Sequence, residues 1–279
     1  MKIRVTTLFS GYDSQCLSLE RLKSQIPDFD YELVNWCEVD KYAIQAHNAL
    51  FPQWADRNLG DISKVDWEQA EECDLLTYSW PCTNVSNAGQ QAGFERGSGT
   101  ASSLLWECEK AIKTLRPKYL LMENVKALMS KKFLPLFNEW RNLVSELGYE
   151  SFTQIINATS CGIPQNRERV FMVSIRRDSD DENISFRFPS PIPLEKRLKD
   201  VLEPEVDDKY VLSDTAIEGF LKHNENHEEK GTGFIWKPKD PDSGGQIASC
   251  LRANGAFCPT DNTIRDRRYC ELSEGESLP

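Results

Sequence analysis

The alternation of strand-like and helix-like segments through the first 177 residues constrains the fold more strongly than any other feature of the sequence. Apolar and β-branched runs predict strands at residues 3–9, 31–37, 74–79, 119–122, 151–156 and 170–175, and apolar residues at helical spacing predict helices at 16–26, 42–50, 103–115 and 133–147. This alternation favours an α/β fold, a doubly wound and mostly parallel sheet with helices on both faces. In such sheets, ligands bind beyond the carboxyl ends of the strands.

After Arg177 the character of the sequence changes. Residues 178–183 are mostly acidic, and prolines interrupt the chain at positions 189, 191, 193, 204, 238 and 241. The sequence therefore predicts a first domain over residues 1–178 and a smaller, irregular second domain over residues 179–279.

The composition excludes several classes of protein. No apolar run approaches the roughly 18 residues of a membrane helix, and the first nine residues are too short for a secretory signal. The nine cysteines are scattered and include no Cys-x-x-Cys pair, so neither a disulfide framework nor a zinc site is indicated. We expect a reduced, cytoplasmic protein with no membrane segment and no metal.

The charge does not favour nucleic-acid binding. The chain has 33 Lys and Arg against 44 Asp and Glu, a net charge of −11, whereas nucleic-acid-binding proteins usually carry a basic surface. Contact with DNA would have to come from local clusters, although each cluster alone is more typical of solvated surface. These clusters are Lys131-Lys132, Arg167 with Arg169, Arg176-Arg177, and Arg265 with Arg267-Arg268.

Three residues that follow early strands favour an adenosine ligand. Gly11, after the first strand, would let the backbone approach a ligand at the start of the next helix. Glu38 ends the second strand and could accept hydrogen bonds from ribose hydroxyls. Asp61 is predicted where a third strand could end, and it could accept from an adenine amino group. Each alone also fits a plain turn or a solvated strand end, but their order favours the ligand.

Cys82 and Glu123 are the candidate catalytic groups. Pro81-Cys82 directly follows a predicted strand and is surrounded by turn residues, so Cys82 is a candidate nucleophile. We expect the other eight cysteines to be small buried hydrophobic residues. Glu123 follows residues 119–122 and could act beside Cys82 as an acid–base partner. Glycines at positions 89, 93, 97 and 99 predict a loop that closes on substrate.

Arg167 and Arg169 precede the last predicted strand. Residues at alternate positions of an extended segment point the same way, and two guanidinium groups suit a phosphate or a carbonyl oxygen.

In this order, the residues resemble the motifs of the cytosine-C5 DNA methyltransferase family, from Leu8 through Arg177. The similar segments are Phe9 with Gly11 (first cofactor motif), Glu38 and Asp61 (second and third motifs), Pro81-Cys82 with Ser86 (nucleophile loop), Ser103-Leu104-Leu105-Trp106 (the segment after that loop), Glu123-Asn124-Val125, and Gln165-x-Arg167-x-Arg169.

The resemblance implies a Rossmann-like domain that uses S-adenosylmethionine to methylate a cytosine flipped out of double-stranded DNA. It implies that Cys82 attacks carbon 6, Glu123 holds N3, Arg169 binds O2, and Arg167 supports the site or contacts phosphate. Residues 179–261 would recognise the target sequence. A monomer is expected, with a cognate restriction endonuclease as a candidate partner. The implied cofactor contacts are Phe9, Gly11, Tyr12, Glu38, Asp61, Ile62, Pro81 and Leu104.

The sequence departs from the family pattern at several positions. Asp13 stands where a second glycine is usual, and Thr83 replaces the Gln that usually follows Pro-Cys. Leu272-Ser273 and Glu276 resemble the ninth motif, but Cys270 stands where an arginine is expected. The family's last motif is not found, so we expect a truncated piece of a longer protein with an incomplete cofactor pocket.

Three alternatives remain open at this stage. A branch of the same family methylates cytosine in transfer RNA. A catalytically inactive relative could bind nucleic acid without turnover, which Asp13, Thr83 and the missing motif favour. A dinucleotide-dependent oxidoreductase fits Gly11 and Glu38 but leaves Cys82 and the arginine pair unexplained.

Overall fold

A computed structural model describes residues 2–86, 92–178, 184–230, 235–240, 247–250 and 262–264. Strands and helices alternate along the first part of the chain, as the sequence predicts. In chain order they are β1 Lys2–Leu8, α1 Ser14–Gln25, β2 Asp30–Cys37, α2 Lys41–Leu50, β3 Leu75–Tyr78, α3 Leu105–Leu115, β4 Tyr119–Val125, α4 Leu134–Glu146, β5 Tyr149–Asn157, β6 Glu168–Arg176 and α5 Asp214–Lys230. Short 3-10 helices cover Pro52–Arg57, Ile62–Lys64, Ala101–Leu104, Lys126–Met129, Ala158–Ser160, Leu198–Val201 and Asp208–Tyr210.

The strands form one six-stranded sheet in the order β2-β1-β3-β4-β6-β5. β1 is parallel to β2 and to β3, β3 is parallel to β4, and β6 is antiparallel to β4. The prediction of an α/β fold with a mostly parallel sheet is therefore confirmed. The carboxyl ends of β1 to β4 share one edge of the sheet, and we call it the carboxyl edge.

Helices cover both faces of the sheet. On one face, α1 and α2 pack on a cluster that includes Val5, Cys16, Leu33 and Trp36. On the other, α3 and α4 pack on a larger cluster, whose members include Leu8, Val34, Leu76, Met122 and Trp140. Neighbouring residues of one strand, such as Leu33 and Val34, belong to different clusters because successive side chains point to opposite faces.

Side chains mark the helix ends. Asp40 accepts hydrogen bonds from the N–H groups of Tyr42 and Ala43 and thereby caps the start of α2. Gly148, with a φ of 93°, follows the end of α4 in the left-handed region that glycine adopts without a steric cost.

Two local predictions are wrong. Glu123 does not follow β4 but lies inside it, because antiparallel pairing with β6 continues to the Val125–Arg169 pair. Asp61 does not end a strand. Its side chain accepts from the Ser63 N–H and caps the 3-10 helix Ile62–Lys64.

The chain divides into two compact units. Unit 1 comprises Met1–Ile156 and Glu168–Phe188, and unit 2 comprises Asn157–Arg167 and Pro189–Pro279. The predicted boundary after Asp178 differs from this division in two respects. The segment between β5 and β6 belongs to unit 2, and unit 1 continues to Phe188. In unit 2, the Asn224 side chain makes two hydrogen bonds to the Trp236 backbone.

None of the helices described is long and apolar enough to cross a membrane. No group of three or more His, Cys, Asp or Glu side chains that could hold a metal ion is found among the residues that the structure describes.

Trp140 of α4 supplies a test of the larger cluster. Its side chain is fully buried, its Nε1 donates to the Tyr78 hydroxyl at 3.2 Å, and its ring lies edge-on to Trp106. We expect Trp140→Ala to lower the free energy of unfolding by about 3–5 kcal/mol, since it leaves a large cavity. Urea denaturation measures this. The control is Glu139→Ala at the neighbouring exposed position, which should change the free energy of unfolding by less than about 0.5 kcal/mol. Equal stability of the two variants would contradict the assignment of Trp140 to the core.

Candidate functional site

The turn after β1 has an unusual backbone. Phe9, Gly11 and Asp13 have φ angles of 56°, 59° and 67°, all in the left-handed region. The Ser10 N–H donates to the Cys37 carbonyl at 3.1 Å, which ties this turn to the end of β2. The turn leads directly into α1, so the free N–H groups at the start of that helix face the carboxyl edge.

Asp13 keeps the left-handed conformation that a glycine would adopt at this position. Its side chain is fully buried and accepts from the Cys16 N–H at 3.0 Å and from the Thr7 hydroxyl at 2.7 Å. The Nε2 atom of the buried His47 lies 3.7 Å from the same carboxylate. Asp and Asn tolerate this region better than other non-glycine residues. The sequence signal for this role was an Asp directly before a helix, a common N-cap.

Glu38 joins the ends of β1 and β2. One carboxylate oxygen accepts from the Gly11 N–H at 2.8 Å, and the other accepts from the N–H groups of Val39 at 2.8 Å and Asp40 at 2.9 Å. An ionised carboxylate has about four acceptor positions. The side chain can therefore hold the turn and still accept from a ligand hydroxyl.

Asp61 lies beyond β2 on the same edge. Hydrogen bonds from the Ser63 hydroxyl and N–H, with Lys64 nearby, hold the pKa of Asp61 below its ordinary value. The side chain is therefore an acceptor at neutral pH. Two other residues that the sequence resemblance assigns to the cofactor differ in exposure. Ile62, next to Asp61, is 4% exposed, and Tyr12, in the turn after β1, is 52% exposed.

Cys82 follows β3 at the carboxyl edge. Its carbonyl accepts from the N–H groups of Val85 and Ser86, so Cys82 starts a tight turn, and its side chain is half-buried. Burial raises the pKa of the Cys37 thiol to about 12 and that of Cys73 to about 11, so neither forms a thiolate near neutral pH. Cys82 differs from these cysteines in its exposure.

The expectation that the other eight cysteines are buried is correct only in part. Cys16, Cys37, Cys73 and Cys108 are buried, whereas Cys161 and Cys250 are exposed. Cys258 and Cys270 lie outside the described residues.

The Asn124 side chain holds β4 beside the segment that contains Cys82. Tyr78 pairs with Met122 in the parallel β3–β4 register, so the next residues of both chains continue along the same edge. The Asn124 amide donates to the Trp80 carbonyl at 3.1 Å, and Asn124 is buried. This contact connects the Glu123-Asn124 pair to the residues directly before Pro81-Cys82.

Glu123 forms an ion pair with Arg169 across the β4–β6 pairing. The Arg169 Nε lies 3.0 Å from a Glu123 carboxylate oxygen, and both side chains are mostly covered. Arg169 also donates from Nη1 to the Glu168 carbonyl at 2.8 Å. Sequence reasoning singled out both residues but not their pairing, because the antiparallel register that joins them is not a local pattern.

A family model described as "C-5 cytosine-specific DNA methylase" matches residues 3–269 of this chain. The chain belongs to this methylase family.

Two curated relatives support the assignment. The chain is 36% identical over 245 residues to type II methyltransferase M1.ScrFI of Lactococcus lactis subsp. cremoris, a match that covers 87% of this chain and 59% of that protein. It is 31% identical over 273 residues to type II methyltransferase M.SsoII of Shigella sonnei, covering 98% and 65%. The methylase chain thus spans less than two thirds of the length of either relative.

Solved structures show the same fold. A Spodoptera frugiperda DNMT2 mutant has a TM-score of 0.63 at 16% identity, covering 98% of this chain and 80% of that one. The S. pombe Dnmt2 methyltransferase has a TM-score of 0.60 at 19% identity, covering 89% and 70%.

Arg167 of this methylase-family chain belongs to unit 2, whereas Cys82, Glu123 and Arg169 belong to unit 1. The Arg167 N–H donates to the Asn157 side chain at 3.1 Å, and its Nη1 lies 3.4 Å from the Cys250 sulfur. The structure therefore gives Arg167 surroundings that differ from those of Arg169.

The basic clusters lie at different places. Lys131 and Lys132 are exposed and follow β4 beyond the carboxyl edge. Arg176 ends β6 at the opposite edge, where it pairs with Asp178, and Arg177 donates there to the Ser145 carbonyl. The cluster at 265–268 lies outside the described residues.

A cavity of about 570 Å³ also opens at that opposite edge, lined by charged residues that include Arg4, Arg116, Lys118 and Arg176. It is therefore separate from the groups at the carboxyl edge.

Asp13 gives a test of the β1 turn. Asp13→Gly removes the N-cap and the Thr7 hydrogen bond, and we expect it to lower the free energy of unfolding by about 1–2 kcal/mol. Asp13→Ala removes the same bonds and also places a β-carbon in the left-handed region, which costs about 1–2 kcal/mol more. Denaturant unfolding of both variants measures the difference. An alanine variant as stable as the glycine variant would contradict the left-handed backbone at this position.

Proposed function

We propose that this chain transfers a methyl group from S-adenosylmethionine to carbon 5 of cytosine in double-stranded DNA, through a covalent bond to Cys82. The observation that carries the proposal is the Asn124–Trp80 hydrogen bond. This bond joins the residue after Glu123 to a carbonyl two residues before Cys82, and Glu123 forms an ion pair with Arg169. Both contacts support a site shared by these three side chains. The family match supplies the reaction class.

The residues at the ends of β1 and β2 fit the adenosine part of the cofactor. Glu38 and Asp61 offer carboxylate oxygens for the ribose hydroxyls and the adenine amino group. The start of α1 offers N–H groups, and Gly11 leaves open backbone there, since a β-carbon at Gly11 would meet nothing within 4 Å. We propose Phe9, Tyr12, Ile62, Pro81 and Leu104 as further cofactor contacts. When bound, the cofactor supplies an electrophilic methyl group.

Cys82 makes carbon 5 of cytosine nucleophilic. Its thiolate bonds to carbon 6, and the electrons of the carbon 5–carbon 6 double bond move toward carbon 5 and N3. Carbon 5 then bonds to the methyl group as the bond between methyl and donor sulfur breaks. Cys82 leaves as a thiolate when carbon 5 gives its proton to water and the double bond re-forms.

Glu123 and Arg169 bind the pyrimidine edge. Glu123 holds N3, gives it a proton as negative charge moves onto it, and takes the proton back when Cys82 leaves, while Arg169 donates to O2. Their ion pair holds the two side chains together before the base arrives. Arg167, on unit 2, is proposed to support the site or contact phosphate.

The cytosine must leave the helical stack, because carbon 6 cannot be attacked inside a duplex. With a net charge of −11, the chain needs local basic groups for the DNA backbone. Lys131 and Lys132 are the proposed contacts at the carboxyl edge, and unit 2 is proposed to recognise the target. The type II names of the relatives make a cognate restriction endonuclease the proposed partner.

Covalent trapping tests the proposal. The full chain, with S-adenosylmethionine, should form a stable adduct with random-sequence duplex DNA that contains 5-fluorocytosine, because fluorine cannot leave carbon 5 as a proton does. Cys82→Ser should form no adduct and transfer no labelled methyl group, yet bind the cofactor with nearly unchanged affinity by calorimetry. Gel shift under denaturing conditions detects the adduct.

Cys73→Ser is the control, since Cys73 lines the cavity at the opposite edge of the sheet, and it should form the adduct as wild type does. Substantial turnover by Cys82→Ser would refute the nucleophile assignment. A parallel assay offers the chain a transfer-RNA pool with labelled S-adenosylmethionine, and incorporation of label only into RNA would contradict the DNA substrate. Binding of DNA without formation of an adduct would favour a catalytically inactive relative.

Glu38 tests the cofactor site. Glu38→Ala removes a proposed ribose acceptor, and cofactor binding should weaken by about 1–3 kcal/mol, as expected for hydrogen bonds to a charged group. Calorimetry measures the affinity. Glu68→Ala removes an exposed carboxylate away from this edge and should leave the affinity unchanged. An unaltered affinity in Glu38→Ala would count against the ribose assignment.

A further inference from the structure

The two sides of the loop after Cys82 are joined at its base by hydrogen bonds. On the outgoing side lie Pro81 and Asn84, and on the returning side lie Gly93, Thr100 and Ser102. We call these five residues the loop-base clamp.

Ser102 is the centre of the clamp. Its side chain is fully buried, and its hydroxyl donates to the Pro81 carbonyl at 2.6 Å and accepts from the Asn84 N–H at 3.1 Å. These two backbone groups lie on either side of Cys82 and Thr83. One hydroxyl thus fixes both ends of the turn that carries the nucleophile.

The returning side of the loop is hydrogen-bonded to the same turn. The Gly93 N–H donates to the Asn84 carbonyl at 3.0 Å, and the Thr100 hydroxyl donates to the Gly93 carbonyl at 3.1 Å. Phe94 is fully buried, and its carbonyl accepts from the Trp106 indole at 2.7 Å. The described part of the loop is therefore anchored to the sheet edge and to α3.

We infer that Ser102 is a positioning residue for the nucleophile, holding the Pro81–Asn84 backbone so that the Cys82 sulfur points at the reacting carbon. The inference rests on the proposed function of Cys82. Because the hydroxyl is buried against the Pro81 and Asn84 backbone groups, the proposed role acts through the turn. Without it, the Pro81 carbonyl and the Asn84 N–H lose their buried partner and the turn is no longer held in one conformation.

The first test measures the alkylation rate of the Cys82 thiol, which depends on how the turn holds it and does not require catalysis. The full chain is treated with iodoacetamide, and alkylation is followed peptide by peptide by mass spectrometry. Ser102→Ala should raise the alkylation rate of Cys82 several-fold, while the exposed Cys161 of the same sample reacts as in wild type. An unchanged Cys82 rate would refute the clamp, whether or not the protein is a methyltransferase.

The second test is a single-turnover assay with S-adenosylmethionine and genomic DNA that lacks cytosine methylation. Ser102→Ala should slow methyl transfer by about ten- to a hundredfold, the range for a misplaced reacting group. The affinity for cofactor should change much less than the transfer rate, because Pro81 is only one of the proposed cofactor contacts. A wild-type rate in Ser102→Ala would overturn the positioning role, whereas a wild-type chain that forms no adduct would overturn the proposed function instead.

Ser103→Ala is the matched control. This neighbouring serine is half-buried and its hydroxyl donates to the Thr100 carbonyl at 2.7 Å, but it has no described bond to the nucleophile turn. Ser103→Ala should leave the transfer rate and Cys82 alkylation unchanged. Equal effects of the two variants would show a general effect on the helical segment before α3 and would overturn the positioning role.

If Ser102→Ala does not fold, Thr100→Val is the second variant. It removes the hydrogen bond from the half-buried Thr100 to the Gly93 carbonyl and should shift both readouts in the same direction. Unshifted readouts in Thr100→Val would refute the clamp.

Discussion

Backbone pairing of the four-residue strand β3, with β1 on one side and β4 on the other, is the constraint on which the rest of the structure depends. Because both pairings are parallel, the ends of β1, β3 and β4 reach the same edge, and three separate stretches of sequence place their polar residues together. The turn with Gly11, the turn with Cys82 and the carboxylate of Glu123 are distant in sequence. A change of pairing by one residue would send alternate side chains to the opposite face.

The strand and helix periods were enough to predict the sheet and its mostly parallel sense. They were not enough where pairs of distant residues decide local structure. β4 extends through Glu123 because β6 pairs with it, and Asp61 caps a 3-10 helix because Ser63 supplies both donors. Ser102 had no visible signal, since its partners Pro81 and Asn84 lie about 20 residues away and its hydroxyl resembles that of any serine before a helix.

The electrostatics at the carboxyl edge are local and mostly paired. Arg169 meets Glu123, and Lys126 meets Glu168 at 2.8 Å, so two of the cations near the end of β4 are already matched with carboxylates. A paired arginine still has other N–H donors in its planar fork. The proposed site therefore offers oriented hydrogen bonds to a neutral base more than a strong positive field. An overall negative charge is compatible with such a site, because attraction to phosphate and recognition of the base depend on different groups.

The chain passes between its two units more than once, at residues 156–157, 167–168 and 188–189. Exchange of the second unit between relatives by one recombination event would therefore leave the segment Asn157–Arg167 with its former host. A chimera with a new unit 2 needs both pieces from the same donor, including the Asn157 amide that bonds to the Arg167 backbone. A change of the unit proposed to recognise the target thus calls for two coordinated replacements along the gene.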